Sequence, residues 1–137
     1  DILGSILGVL TTAVGGLGAI SLVVGGIGVL TIMTIAVRER TNEIGLLRAL
    51  GATQRQIMNL FLGEAVILAA IGGLSGLVIG VGGAQLLHFL LPSLPVHISL
   101  RYLLVAEAVA LIIGLLAGVV PARKAANMTP VDALRAE

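Results

Sequence analysis

The sequence has no cysteine and no tryptophan, and only one tyrosine and two phenylalanines among its 137 residues. Without cysteine there is no disulfide framework, no thiolate metal site and no thiol nucleophile. An aromatic content of 2% leaves no platform for stacking nucleic-acid bases and only a thin belt for a membrane interface. Charge is also scarce, at 11% of residues, where a soluble domain carries about a quarter. A net charge of +1 provides no basic footprint, so no nucleic-acid partner is expected. No phosphate-binding G-x-x-x-x-G-K-[ST] loop occurs, and neither His88 nor His97 has a serine or acid in a nucleophile–base pattern. The chain is expected not to be an enzyme and to bind no cofactor itself. No metal site is expected either, because the two histidines flank a loop that offers no further ligands.

Apolar residues are abundant at 58%, and they are gathered into blocks. No charge occurs between Asp1 and Arg38. A second charge-free run goes from Ala65 to Leu100, broken by Pro92 and Pro95, and a third ends at Pro121 with Glu107 as its only acid. Crossing a ~30 Å hydrocarbon core takes about 20 apolar residues in a helix. The expected fold is therefore all-α, a polytopic transmembrane bundle of three spanning helices with a short helix in the first loop. The expected organisation is an outer extension at 1–13, a span at 14–37, a cytoplasmic loop at 38–61 and a span at 62–87. An outer loop at 88–99, a span at 100–120 and a cytoplasmic tail at 121–137 complete it. Thr11, Thr12, Gly15 and Gly16 mark where the first run is expected to leave lipid. With Asp1 first and no basic leader ahead of the apolar run, the chain is expected to belong to a longer polypeptide.

Orientation follows from the cations. Arg38, Arg40, Arg48 and Arg55 lie between the first two apolar runs, Arg123, Lys124 and Arg135 follow the third, and only Arg101 lies at the opposite end. Lys and Arg are retained on the cytoplasmic side, which places the first loop and the tail there.

Small residues recur every four positions. One row is Gly72, Gly76, Gly80 and Ala84, and another is Ala106, Ala110, Gly114, Gly118 and Ala122. A shorter row is Ser21, Gly25 and Gly28. Such rows share a helix face and let membrane helices approach closely, so Gly72, Gly76, Gly80, Ala110, Gly114 and Gly118 are expected at packing seams. The plainer alternative is that glycine is simply frequent in membrane helices.

The loop is the most informative stretch. Thr41 is expected to cap a helix with Glu43 in its first turn, and Gly51 to stop it. Ile44, Leu47 and Leu50 are expected on one face. Thr53 and Gln56 have the spacing of a capping box that opens the next helix. Such an element can lie on lipid headgroups or dock a cytoplasmic partner, and the residues alone leave both open. In the tail, Thr129 is the expected N-cap, Pro130 the first helical residue and Asp132 the acid three positions on, with Ala133 and Leu134 facing the loop. Glu64 is expected to pin its helix to the loop or to another helix. Glu107 is expected to be hydrated near the interface or bonded to a neighbouring helix, rather than to relay protons.

The segments VRERTNEIGLLRALGATQRQI and FLGEAVILAAIGGLSGLVIG, with the tail PARKAANMTPVDALR, resemble the FtsX-like permease domain of MacB-type ABC transporters. The resemblance covers essentially the whole chain, from the second to the fourth membrane helix of the family. It implies a first membrane helix and a large extracytoplasmic domain upstream, and their absence here leaves the substrate undetermined. It also implies residence in the inner (cytoplasmic) membrane and a partner ABC ATPase, fused or separate, that handles ATP and Mg. A second permease copy is implied as well, and a periplasmic adaptor and outer-membrane channel are possible further partners. By the same resemblance, Glu43, Ile44, Leu47, Arg48, Ala49, Leu50 and Gly51 form the ATPase-coupling helix. ATP hydrolysis would then drive extracytoplasmic movement and substrate export by mechanotransmission. The alternative within the family is a signalling subunit that regulates a cell-wall hydrolase and moves no substrate. A passive pore is disfavoured, because the spans carry almost no polar stripe to line a water path.

Overall fold

A computed structural model describes residues 1–135. All regular structure among the described residues is helical: α1 (Ile2–Glu39), α2 (Thr41–Ala49), α3 (Gln54–Leu90), α4 (Leu100–Ala126) and α5 (Pro130–Arg135). Three of these, α1, α3 and α4, are long and apolar enough to cross a membrane. The last two residues of the expected tail, 136–137, lie outside the described residues.

The helices run further than the apolar blocks suggested. α1 is one helix of 38 residues, about 57 Å long at 1.5 Å per residue, with no break at Thr11–Gly16. The expected division between 1–13 and 14–37 has no counterpart in the backbone. A helical glycine costs only about 1 kcal/mol, whereas a break within lipid strands N–H and C=O groups at several kcal/mol each. The hydroxyls fit this helix, since Thr12 donates to the Gly8 carbonyl at 2.8 Å and Ser21 to Leu17 at 2.9 Å. α3 likewise has 37 residues; it opens at the expected Thr53–Gln56 capping box and ends at Leu90, beyond the expected span.

α4 passes through Pro121 and ends at Ala126, where the sequence suggested a stop at Pro121. The proline cannot donate to the Ala117 carbonyl, but the helix beyond it is held by packing, since Ala122, Ala125 and Ala126 are all buried.

α4 is the central helix. It packs antiparallel along α3 and also against α1, while α1 and α3 meet only briefly. Burial is concentrated at the end that carries α2 and α5. There Met33 and Val37 of α1, Ile44 of α2, Ile57, Phe61 and Ala65 of α3, and the three alanines of α4 form one core. Elsewhere the long helices present leucine, isoleucine and valine outwards, as lipid-facing surfaces do.

Candidate functional site

Arg40 is the only residue between α1 and α2, with φ −98° and ψ 18°. Thr41 does not cap α2. Already helical itself, it turns its hydroxyl back to the Val37 and Arg38 carbonyls at 3.1 and 2.7 Å and so closes the end of α1. Glu43 does lie in the first turn of α2, near the positive end of the helix dipole.

The far end of α2 is closed by a Schellman motif. The Ala52 N–H donates to the Leu47 carbonyl at 2.9 Å and the Gly51 N–H to the Arg48 carbonyl at 3.1 Å. Gly51 has φ +101°, and a Cβ there would meet nothing within 4 Å. Gly51→Ala is therefore expected to cost about 1–2 kcal/mol through backbone strain alone, and Gly51→Asn less. Thermal unfolding midpoints in detergent check this; equal midpoints for all three proteins would contradict the strained turn. Next, Thr53 opens α3 with a complete capping box: Gln56 N–H to Thr53 Oγ1 at 3.2 Å and Thr53 N–H to Gln56 Oε1 at 2.9 Å.

α2 rests mainly on α5. Gly45 makes this possible, because a Cβ at that position would collide with the Ala133 Cβ, and Ala133 is itself fully covered. α5 is capped as its sequence suggested, with the Asp132 N–H donating to Thr129 Oγ1 at 3.2 Å and that hydroxyl donating to the Asp132 carboxylate at 2.6 Å.

The residues expected to couple to an ATPase do not share one face. Ile44 is 1% exposed and belongs to the core, whereas Leu47 is 38% and Leu50 77% exposed. A rotation of about 100° per residue puts Leu50 well away from Ile44 and directly above Leu46, four positions earlier. Leu46, 57% exposed, was not among the expected residues; its i, i+4 spacing from Leu50 was the available signal. Glu43, Ala49 and Gly51 are exposed. Arg48 is half-buried, with Nη1 donating to the Ala52 carbonyl at 3.0 Å and Nε buried without a partner among the described residues. α2 thus offers an outward apolar edge of Leu46, Leu47 and Leu50, and holds itself in place through Ile44 and Gly45.

Arg40 adds a polar tie. Its Nη1 donates to Glu64 Oε1 at 2.6 Å, its Nε donates to Glu43 Oε2 at 3.0 Å, and its guanidinium lies 5.3 Å from the centre of the Phe61 ring. Glu64 therefore does pin α3 to the loop, as expected. The bond to Glu64, and then the one to Glu43, raise the Arg40 pKa above its ordinary value, so it stays charged throughout the physiological range.

The small-residue rows are placed unequally. Gly114 and Gly118 of α4 lie against Ala69 and Ala65 of α3. Gly72, Gly76 and Gly80 are not in that seam, since a Cβ on any of them would meet nothing within 4 Å. The contacting row on α3 is Ala65, Ala69 and Gly73, one residue out of phase with the expected one. Gly72, Gly76 and Ala110 instead line a groove of about 470 Å³ between α1, α3 and α4, together with Gly25 and Gly26. Glu107 borders the same groove. Its carboxylate packs against Gly73, and Oε2 is buried without a hydrogen-bond partner among the described residues. His88 Nδ1 lies 3.0 Å from the Leu94 carbonyl. Among the described residues no group of three or more His, Cys, Asp or Glu is placed to hold a metal.

Comparison with known proteins gives consistent matches. The family model described as "FtsX-like permease C-terminal" matches residues 15–130. The macrolide export ATP-binding/permease protein MacB of Wolinella succinogenes is 50% identical over 136 residues, 99% of this chain and 19% of its own. The pyoverdine export ATP-binding/permease protein PvdT of Pseudomonas syringae is 50% identical over 137 residues, again 99% of this chain and 19% of its own. The uncharacterised ABC transporter permease YknZ of Bacillus subtilis is 44% identical over 135 residues, 98% of this chain and 34% of its own. The chain therefore spans between a fifth and a third of the length of these relatives.

Proposed function

The chain belongs to the FtsX-like permease C-terminal family and is a multi-pass membrane protein of the ABC transporter permease type; from that premise we propose that α2 docks onto a cytoplasmic ATPase and passes its movement to the spanning helices. ATP and Mg would be bound by that ATPase, and the spans would carry the movement to the outer side of the inner (cytoplasmic) membrane to drive export. In this reading the end with α2 and α5 is cytoplasmic, which the clustering of Arg and Lys there supports. A second permease copy completes the unit, with a periplasmic adaptor and outer-membrane channel as further candidates. Two relatives at half identity carry both "ATP-binding" and "export" in their names, which favours export over signalling to a hydrolase.

One observation carries this reading. α2 is fixed at both ends and along its inner face, yet it turns three leucines outward at the tip of the bundle. A helix that only floated on headgroups would not need so rigid a seat. A stiff element with an apolar edge suits a groove on a partner.

The test is a full-length protein with Leu46→Asp and Leu50→Asp, two exposed positions whose change leaves the inner face of α2 intact. Loss of two exposed anchors is expected to weaken ATPase association by about 2 kcal/mol or more, roughly 30-fold. The readout is recovery of the ATPase from mild detergent, or of its hydrolysis coupled to the permease if the two are fused, with membrane insertion checked in parallel. Equal recovery from altered and unaltered protein would leave α2 an interfacial helix and remove the coupling reading.

A further inference from the structure

The joint between α1 and α2 is a single residue long, and a one-residue joint between two helices is a hinge unless something fixes its angle. Arg40 is that residue, and its side chain is not free in water. It bonds to Glu43 on α2 and to Glu64 on α3, at 3.0 and 2.6 Å. Its guanidinium also faces the ring of Phe61, which is fully buried in the core shared by all three long helices and α2. One side chain at the joint thus ties α1, through the backbone, to α2 and to α3.

We infer that Arg40 is a positioning residue for transmission: it locks the angle of α2 so that a push on α2 moves α1 and α3 together. This rests on the proposal that α2 is the ATPase-coupling element. With the tie cut, α2 keeps its seat through Ile44 and Gly45 but loses its side-chain link to α3, so its outward leucines still dock while the joint at residue 40 gives more under a push. The planar fork of arginine matters here, because it reaches two carboxylates at once from different helices, which an ammonium on a flexible stem does less well. Arg40→Met keeps an unbranched aliphatic chain at position 40 and loses both bonds together with the guanidinium's contact with Phe61. Glu64→Gln keeps the shape and cuts only the tie to α3. Exchange of the pair, Arg40→Glu with Glu64→Arg, made together with Glu43→Gln so that no like charge faces position 40, restores opposite charges across the gap to α3.

Two distances are read by spin labels on full-length protein. The first, between cysteines placed at Ala49 on α2 and Leu60 on α3, reports the angle of α2 and needs no ATPase. Its distribution is expected to broaden in Arg40→Met and Glu64→Gln and to narrow again in the exchanged pair. The second, between positions 10 on α1 and 86 on α3, is compared with and without ATP, Mg and vanadate. In the unaltered protein it is expected to shift. In Arg40→Met the shift is expected to shrink roughly fivefold or more while ATPase recovery and hydrolysis persist. Arg40→Lys is expected to fall between.

An unchanged α2–α3 distribution in both single variants overturns the role of Arg40. So does a full nucleotide-linked shift in Arg40→Met, or loss of ATPase recovery there, which would make the arginine part of the dock. If the unaltered protein shows no nucleotide-linked shift, the coupling proposal fails and takes the transmission role with it. A broadened α2–α3 distribution would then describe only the static joint.

Discussion

Gly114→Val is expected to prise α4 from α3 and to be the most damaging single change within the spans. A Cβ on Gly114 would collide with the Ala69 Cβ and sit 3.4 Å from the Ala65 carbonyl oxygen and 3.5 Å from the Ala69 Cα. Two of those three atoms belong to the α3 backbone, so no rotamer change relieves the clash and the helices themselves must separate. Overpacking a fitted contact costs about 1–3 kcal/mol, and a branched side chain against backbone belongs at the upper end. In lipid the loss is not offset by expelling water, because helix association there depends on close packing. Gly118→Ala meets the Ala65 Cβ and is expected to be damaging in the same direction. Gly76→Ala, with open space around it, is expected to stay within about 0.5 kcal/mol of the parent. Unfolding midpoints in graded detergent mixtures compare the three. If Gly76→Ala proves costly and Gly114→Val harmless, the packing seam runs along Gly72–Gly80 and the α3–α4 contact described above is wrong.

That contrast also shows where the sequence was legible. The three apolar runs gave the all-α bundle, because only helices satisfy their own backbone groups in lipid. Local capping chemistry was also readable: Thr53 with Gln56, Thr129 with Asp132 and the glycine at 51 each act within a few residues, and local rules suffice there. What failed was phase. Gly72, Gly76 and Gly80 form the more regular glycine row, but Ala65, Ala69 and Gly73 make the contact, and spacing cannot say which of two small rows one step apart meets a partner. Thr41 failed for a related reason. A threonine between two helices can cap the second or close the first, and the one-residue joint at Arg40 decided for the first. Ile44 was grouped with Leu47 and Leu50 as one face, but the fully covered position on α2 is set by the core formed by Met33, Phe61 and Ala122, residues far from it in sequence. The tie from Arg40 to Glu64 spans 24 positions, so the sequence could name the acid but not its partner.

Gly45→Leu is expected to unseat α5 without touching the outward leucines of α2. At position 45 a Cβ would collide with the Ala133 Cβ, with Leu134 Cγ at 3.4 Å and the Ala133 carbonyl carbon at 3.6 Å. α5 has only six residues and cannot stand as a helix without that seat, so it gives way before α2 does. The chain has no cysteine, so a single Ala133→Cys gives this region one thiol to report on. Ala133 is 1% exposed, and a maleimide reaches it only when α5 lifts. A destabilisation of about 1–3 kcal/mol raises the open fraction, and hence the labelling rate, by roughly 5- to 150-fold. Equal labelling of the Gly45→Leu and parent proteins would mean that α5 is not seated on α2 at all. If labelling rises, ATPase recovery from the same variant becomes decisive: a fall with Leu46 and Leu50 intact would show that the outward edge of α2 works only while α5 supports it from beneath.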